Sequence, residues 1–220
     1  MDRPRVIVNC AMSADGKIAL PTGKQLRISS EEDIARVYRL RSTCDAVLVG
    51  VGTILSDDPK LTVKETYVKH PRQPLRVVLD STGRTPPGAL VLNTTADTLL
   101  IMAKGHERQF EGSHIEVVGC TVDRQGLLEI PCILELLSQR GIRTLLVEGG
   151  GTVIWSFLQS GMVDDLYVYI GPCIIGGKNT PTMASGEGIM RENEAINLKI
   201  VKTQRIGAGV LIHYQPYINQ

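Results

Sequence analysis

Apolar, β-branched runs of strand length alternate along this chain with stretches of helical period, and that alternation limits the fold more than any other feature. RVIVNCAMS, CDAVLVGVGT, PLRVVLDSTGR, DTLLIMAK, SHIEVVGC and IRTLLV read as strands, several of them running into glycine or polar turns. SSEEDIARVYRLRS reads as a helix with Ser29 and Glu32 spaced as a capping box. IPCILELLSQRG carries Pro131 where a first helical turn tolerates it and Gly141 where a helix ends, and VIWSFLQSG is a short helix closing at Gly161. The last third departs from this alternation. DDLYVYIGPCIIGG is a strand there, and INLKIVKTQRIGAGVLIHYQP is two strands around a turn at Gly207 to Gly209. The pattern predicts an α/β fold with a mainly parallel central sheet, an antiparallel C-terminal edge and flanking helices. With no internal repeat and no linker, residues 1–220 are expected to form a single domain.

Composition narrows the function. Hydrophobic residues at 43% and charged ones at 21% belong to an ordinary globular chain. The charge is nearly balanced, 24 basic against 23 acidic residues, with no basic stripe, so nucleic acid is not expected as a partner. No run approaches membrane-spanning length and the N-terminal apolar stretch is short for a signal peptide, which predicts a cytoplasmic protein away from membranes. Five scattered cysteines without a CxxC pair, and four histidines at 70, 106, 114 and 213 without ligand spacing, predict no bound metal.

The polar and glycine-rich stretches gather at strand ends, where open α/β sheets bind ligands. VEGGGT (147–152) bares backbone N–H groups between a strand and a helix, which suits a phosphate or simply a tight turn. It does not complete a dinucleotide fingerprint, because the third glycine would fall on Ile154, and GPCIIGGKN misses the P-loop spacing. DSTGR (80–84) places Ser81, Thr82 and Arg84 after a strand, a set suited to an adenosine 2′-phosphate or to a polar surface turn. Thr53 with Asp57 and Asp58 lies at a further strand end, where paired acids serve acid–base chemistry or merely a solvated turn. Glu148 beside the glycines would repel an anion, so it either faces a hydrogen-bond-donating substrate or sits in solvent. Arg41 continues the apolar stripe Ile34, Val37, Tyr38 and either snorkels or meets an anion.

The ordered set SADGKIA, VGVGTILSDDPKLTV, VVLDSTGR, LLVEGGGTV and IGPCIIGGKNTPT resembles the riboflavin-biosynthesis reductase family, over nearly the whole chain. The resemblance implies a dihydrofolate-reductase-like fold. It also implies hydride transfer from NADPH, with NADH as an alternative donor, to C1′ of a diaminopyrimidinone ribosylamine 5′-phosphate. The bacterial members carry a zinc deaminase domain with HxE and PCxxC motifs; this chain has neither and is expected to be the stand-alone, archaeal-type form, working as a homodimer.

Carried over by motif, the resemblance assigns Ala11, Thr53, Asp57, Ser81, Thr82, Gly83, Arg84, Gly149, Gly150, Gly151 and Thr152 to the cofactor. It assigns Gln25, Arg41, Leu61, Lys64 and Glu148 to the substrate, with Asp57 as the candidate for moving a proton during ring opening and Asp15 as a second one or a turn residue. Lys64 stands where the bacterial form often has arginine, so bidentate phosphate binding is not expected there. The competing expectations are a dihydrofolate or other pteridine reductase on the same fold and a non-catalytic NADPH-sensing module. Two phenylalanines and one tryptophan leave few aromatics to sandwich a pteridine.

Overall fold

The computed structural model describes residues 3–217. In chain order the elements are β1 (Arg5–Ser13), α1 (Glu31–Thr43), β2 (Ala46–Gly50), α2 (Val51–Asp57), β3 (Leu75–Leu79), β4 (Thr98–Ala103) and β5 (Ile115–Cys120). Then come α3 (Ile130–Gln139), β6 (Thr144–Val147), α4 (Gly151–Gln159), β7 (Asp165–Gly171), β8 (Asn197–Ile206) and β9 (Gly209–Tyr217). Single 3₁₀ turns occur at Leu90–Leu92 and Glu192–Glu194. The described residues gather into two compact units: one holds residues 3–5 and Tyr38–Leu146, the other Val6–Val37 and residues 147–217. The boundaries fall inside α1 and inside β6.

In the first unit the strand order is β5-β4-β3-β2-β6. The β2–β3, β3–β4 and β4–β5 ladders are all parallel. Every residue of β2 and β4 is buried, the unbroken apolar run expected of a parallel strand covered on both faces. On α3 the buried residues Ile130, Ile133, Leu134 and Leu137 recur at helical spacing and mark its core face. Arg76 on β3 is fully buried, and its two terminal guanidinium nitrogens donate to the Asn93 Oδ1 (2.9 Å), the Asn93 carbonyl (2.5 Å) and the Ala96 carbonyl. Burial pulls its pKa down to about 10, and its hydrogen bonds anchor the loop of residues 93–96.

In the second unit the order is β1-β7-β9-β8, with β1–β7 parallel and β7–β9 and β8–β9 antiparallel. The two-residue link Gly207-Ala208 closes the β8–β9 hairpin, as the glycines of the tail predicted. The mainly parallel arrangement with an antiparallel C-terminal edge is therefore observed.

Three local expectations are corrected. The helix-capping serine is Ser30, whose Oγ accepts from the Asp33 N–H at 3.3 Å; Ser29 instead donates to the Asp33 carboxylate at 2.6 Å. Consecutive serines, each with an acid three residues on, present the box in two registers, and the helix starts at the second. VGTILSD is a helical turn pair, α2, rather than a strand running into a turn. β7 ends at Gly171, so PCIIGG is loop and not strand.

Candidate active site

In the first unit α2 begins directly at the end of β2, and Thr53 and Asp57, four apart, share one face of it. Both are half-buried. Asp58 caps the helix in the left-handed region at φ +43°, and its Oδ1 accepts from the Leu90 N–H at 2.7 Å. Of the paired acids, then, Asp58 is a structural cap and Asp57 is the one on the helix face.

The chain after α2 is held in an unusual course. Leu61 is 2% exposed and has φ +52°, a left-handed backbone rare for a branched residue and typical of sites whose surroundings dictate the geometry. Arg41 at the end of α1 donates to the Thr62 carbonyl at 3.1 Å, and the Gln73 amide brackets Val63, bonding its N–H at 2.8 Å and its carbonyl at 2.9 Å. The Tyr38 and Tyr67 rings stack at 4.6 Å with 7° between their planes. Two cations lie at the Tyr38 ring, Arg41 at 5.3 Å and Lys64 at 5.5 Å from its centroid. Arg41 thus ends a helical stripe that leads to a built cationic corner, and Arg41, Leu61 and Lys64 are brought together there. Sequence reasoning placed Tyr38 in the core stripe and missed Tyr67.

At the end of β3, Asp80 is fully buried and orders the following loop. Its carboxylate accepts from the Arg84 N–H at 2.9 Å, the Thr85 N–H at 2.7 Å and the Thr85 hydroxyl at 2.7 Å. Gly83 turns the chain at φ +68°, leaving Thr82 and Arg84 exposed and Ser81 half-buried. The loop after β4 adds a residue that the sequence did not flag: Arg108 donates to the Gly83 carbonyl at 2.7 Å.

In the second unit Ala11 lies on β1 in register with Tyr169 of β7 and is half-buried. Past the end of the strand, Asp15 clamps two loops: it accepts from the Ser13 hydroxyl at 2.6 Å and from the Ile175 and Gly176 N–H groups at 3.1 and 2.7 Å. Those hydrogen bonds, the Ser13 hydroxyl foremost, hold its carboxyl down at about 2. Asp15 thus fills the turn role, joining the end of β1 to the 175–176 backbone. Gln25 sits exposed in the loop that follows.

The glycine run is placed by two different requirements. Gly149 is buried at φ +124°, a region open to glycine, and an added Cβ would meet no atom within 4 Å. Gly151 opens α4; a Cβ there would overlap the Thr182 carbonyl and stand 2.7 Å from the Ser185 hydroxyl. Gly150 is the cap residue, no side chain caps the first turn of α4, and Thr152 is exposed. Bare backbone at a helix N-terminus beside open space fits an anionic group such as a pyrophosphate. Glu148, half-buried, immediately precedes it.

Among the described residues no group of three or more His, Cys, Asp and Glu side chains is placed to hold one metal ion, and no helix is long and apolar enough to cross a membrane.

Comparison with known proteins completes the picture. A model of the RibD C-terminal domain matches residues 4–212. A protein of Archaeoglobus fulgidus named 2,5-diamino-6-ribosylamino-4(3H)-pyrimidinone 5′-phosphate reductase is 42% identical over 217 residues, covering 96% of this chain and 97% of its own. Its namesake from Methanothermobacter thermautotrophicus is 41% identical over 215 residues, covering 96% and 98%. Among solved structures, the diaminohydroxyphosphoribosylaminopyrimidine deaminase/5-amino-6-(5-phosphoribosylamino)uracil reductase of Thermotoga maritima superposes with a TM-score of 0.81 at 28% identity, over 98% of this chain. This chain spans 57% of that bifunctional one.

Proposed function

The chain belongs to the RibD C-terminal domain family, and on that premise we propose that it reduces 2,5-diamino-6-ribosylamino-4(3H)-pyrimidinone 5′-phosphate to the ribitylamino product with NADPH. The observation that carries this reading is the 42% identity to an archaeal reductase of that name over 97% of its length. The reading takes residues 1–220 as one reductase domain, in keeping with unit boundaries that cut through α1 and β6.

The residues present fit a nicotinamide dinucleotide phosphate. The open space beside buried Gly149 and the uncapped start of α4 suit its pyrophosphate, and the Ser81–Arg84 loop suits its 2′-phosphate. Thr53, Asp57 and Ala11 complete the assigned cofactor contacts. When bound, the reduced nicotinamide supplies a hydride for C1′ of the ring-opened, imine form of the substrate.

The chain itself supplies orientation and electrostatics. Arg41 and Lys64, gathered at the Tyr38 ring, give two positive charges for the substrate's 5′-phosphate. Lys64 acts there as a point charge, and Arg41 keeps its fork against the Thr62 carbonyl. The left-handed turn at Leu61 sets the wall between them, Gln25 is assigned to the same substrate, and Glu148 accepts hydrogen bonds from its pyrimidine or ribose donors. Asp57 is the carboxylate assigned to proton movement as the ribose opens. A homodimer in the cytoplasm belongs to the same reading; Ile200 and Val201, 59% and 47% exposed on edge strand β8, offer apolar surface to a second copy.

The test is NADPH oxidation with the diamino and the deaminated ribosylaminopyrimidine phosphates offered separately. Turnover of the diamino compound is expected. Turnover of dihydropteridines instead, or of nothing while NADPH still binds, would move the chain to a pteridine reductase or a sensing module.

A further inference from the structure

We propose that Arg108, reaching from the loop after β4 onto Gly83, sets the preference for a 2′-phosphorylated cofactor over its dephosphorylated counterpart. The inference deepens the NADPH reading above and rests on it.

Two adjacent parallel strands bring the pieces together. Asp80 donates its N–H to the Ile101 carbonyl of β4 at 2.9 Å, and the Ser81 carbonyl accepts from the Ala103 N–H at 3.2 Å. The loops that follow β3 and β4 therefore leave the sheet side by side. The first carries Ser81, Thr82 and Arg84; the second carries Lys104, His106 and Arg108, all exposed.

Two acids belong to these loops. Asp80 is consumed internally by the Arg84 N–H and Thr85. Glu107 accepts from the Gly105 N–H at 2.7 Å and lies against Gly119 on β5. Beside the exposed Glu107 the surface holds Thr82, Arg84, Lys104 and Arg108, hydroxyl and cationic groups of the kind that bind a phosphate monoester.

Arg108 is the one of these cations with a fixed seat. Its guanidinium lies 4.7 Å over the Phe110 ring and donates to the Gly83 carbonyl at 2.7 Å, the only hydrogen bond of that guanidinium among the described residues. An arginine carries five N–H donors in a rigid fork, so a group seated by one of them presents the others in a set direction. Gly83 makes the seat possible twice over: its φ of +68° forms the turn, and a Cβ there would come within 3.1 Å of the Arg108 Cδ. The loop glycine thus serves the arginine's approach as well as its own backbone.

The experiment measures binding of adenosine 2′,5′-bisphosphate and adenosine 5′-monophosphate by calorimetry to the full chain and to Arg108→Met, which keeps the aliphatic packing on Gly83. Affinity for the bisphosphate is expected to fall about 10- to 100-fold with the monophosphate unchanged, and Arg108→Lys is expected to lie between. In turnover, kcat/KM should fall by the same factor for NADPH and stay level for NADH. Equal losses for both nucleotides, or no loss for either, overturn the inference, as does a wild-type chain that does not distinguish the two. Where Arg108→Met does not fold, the same comparison in Arg108→Lys decides. If wild type discriminates the two adenosines through Arg108 yet reduces no ribosylaminopyrimidine, the functional reading fails and the nucleotide site stands.

Discussion

The Arg41 guanidinium holds the Thr62 carbonyl at 3.1 Å, so a residue at the end of α1 fixes the chain just past the left-handed turn at Leu61. On the proposed function one side chain is thereby both a charge for the substrate and a brace for its wall. Arg41→Ala is expected to raise KM for the phosphorylated substrate about 10- to 100-fold, the scale of a lost charge-assisted hydrogen bond. Binding of adenosine 2′,5′-bisphosphate should stay unchanged. Arg41→Lys should recover little, because an ammonium cannot bond the carbonyl and a phosphate with one planar fork. An Arg41→Ala enzyme with unaltered KM would remove Arg41 from the substrate side.

Tyr38 is expected to act through the two cations at its ring. Tyr38→Leu should raise KM for the substrate about 2- to 30-fold, the range of one or two cation–π contacts, with kcat little changed. Tyr38→Phe keeps the ring and should behave as wild type. The same substitutions assayed on the substrate lacking its 5′-phosphate should show no difference; a difference there would make Tyr38 a packing residue only.

Gly149 and Gly151 should resist alanine for unlike reasons. Gly151→Ala drives a methyl into the Thr182 backbone carbonyl and should cost about 1–3 kcal/mol as loop 182–185 gives way. Gly149→Ala meets open space but must hold φ near +124°, a backbone cost of about 1–3 kcal/mol. Thermal melts should show both losses. Removing the Ser185 side chain should not rescue Gly151→Ala, since the Thr182 carbonyl remains; full rescue would contradict the geometry.

Asp15 predicts an acid-side dependence of stability. Its folded pKa, about 2, lies below the ordinary 3.8, so the folded state favours the carboxylate. The stabilisation is complete above pH 3.8 and disappears as pH falls towards 2. Asp15→Asn should therefore be less stable than wild type at neutral pH, and the gap should close across that window. Parallel stability curves down to about pH 2 would show that the loop clamp does not depend on the charge.

How far the fold could be read in advance depends on how local its causes are. β2 and β4 are buried along their whole length, so their apolar runs announce them, and α3 shows its core stripe and its proline and glycine ends directly. α2 was hidden because seven residues containing Val51, Thr53 and Ile54, without a side-chain cap, carry the composition of a strand. The candidate site residues stood in recognisable order, but their supports did not. Tyr67 follows Tyr38 by 29 positions and meets it only through the course set by Leu61 and Thr62. Arg108 lies in a stretch, GHERQF, that reads as a solvated loop, and its partner Gly83 is 25 residues away. Only the parallel β3–β4 pairing brings such positions together.

The pairing of β1 with β7 has a consequence for the chain as it is made. The Val6 N–H bonds the Asp164 carboxylate across 158 residues, and Ile7 stands opposite Asp165. The apolar strand β1 therefore waits for a neighbour made 158 residues later, and loops of that length close slowly. During that interval the β1 edge that β7 covers stays open, and fragments that stop before residue 165 should collect in inclusion bodies more than residues 1–220 together do.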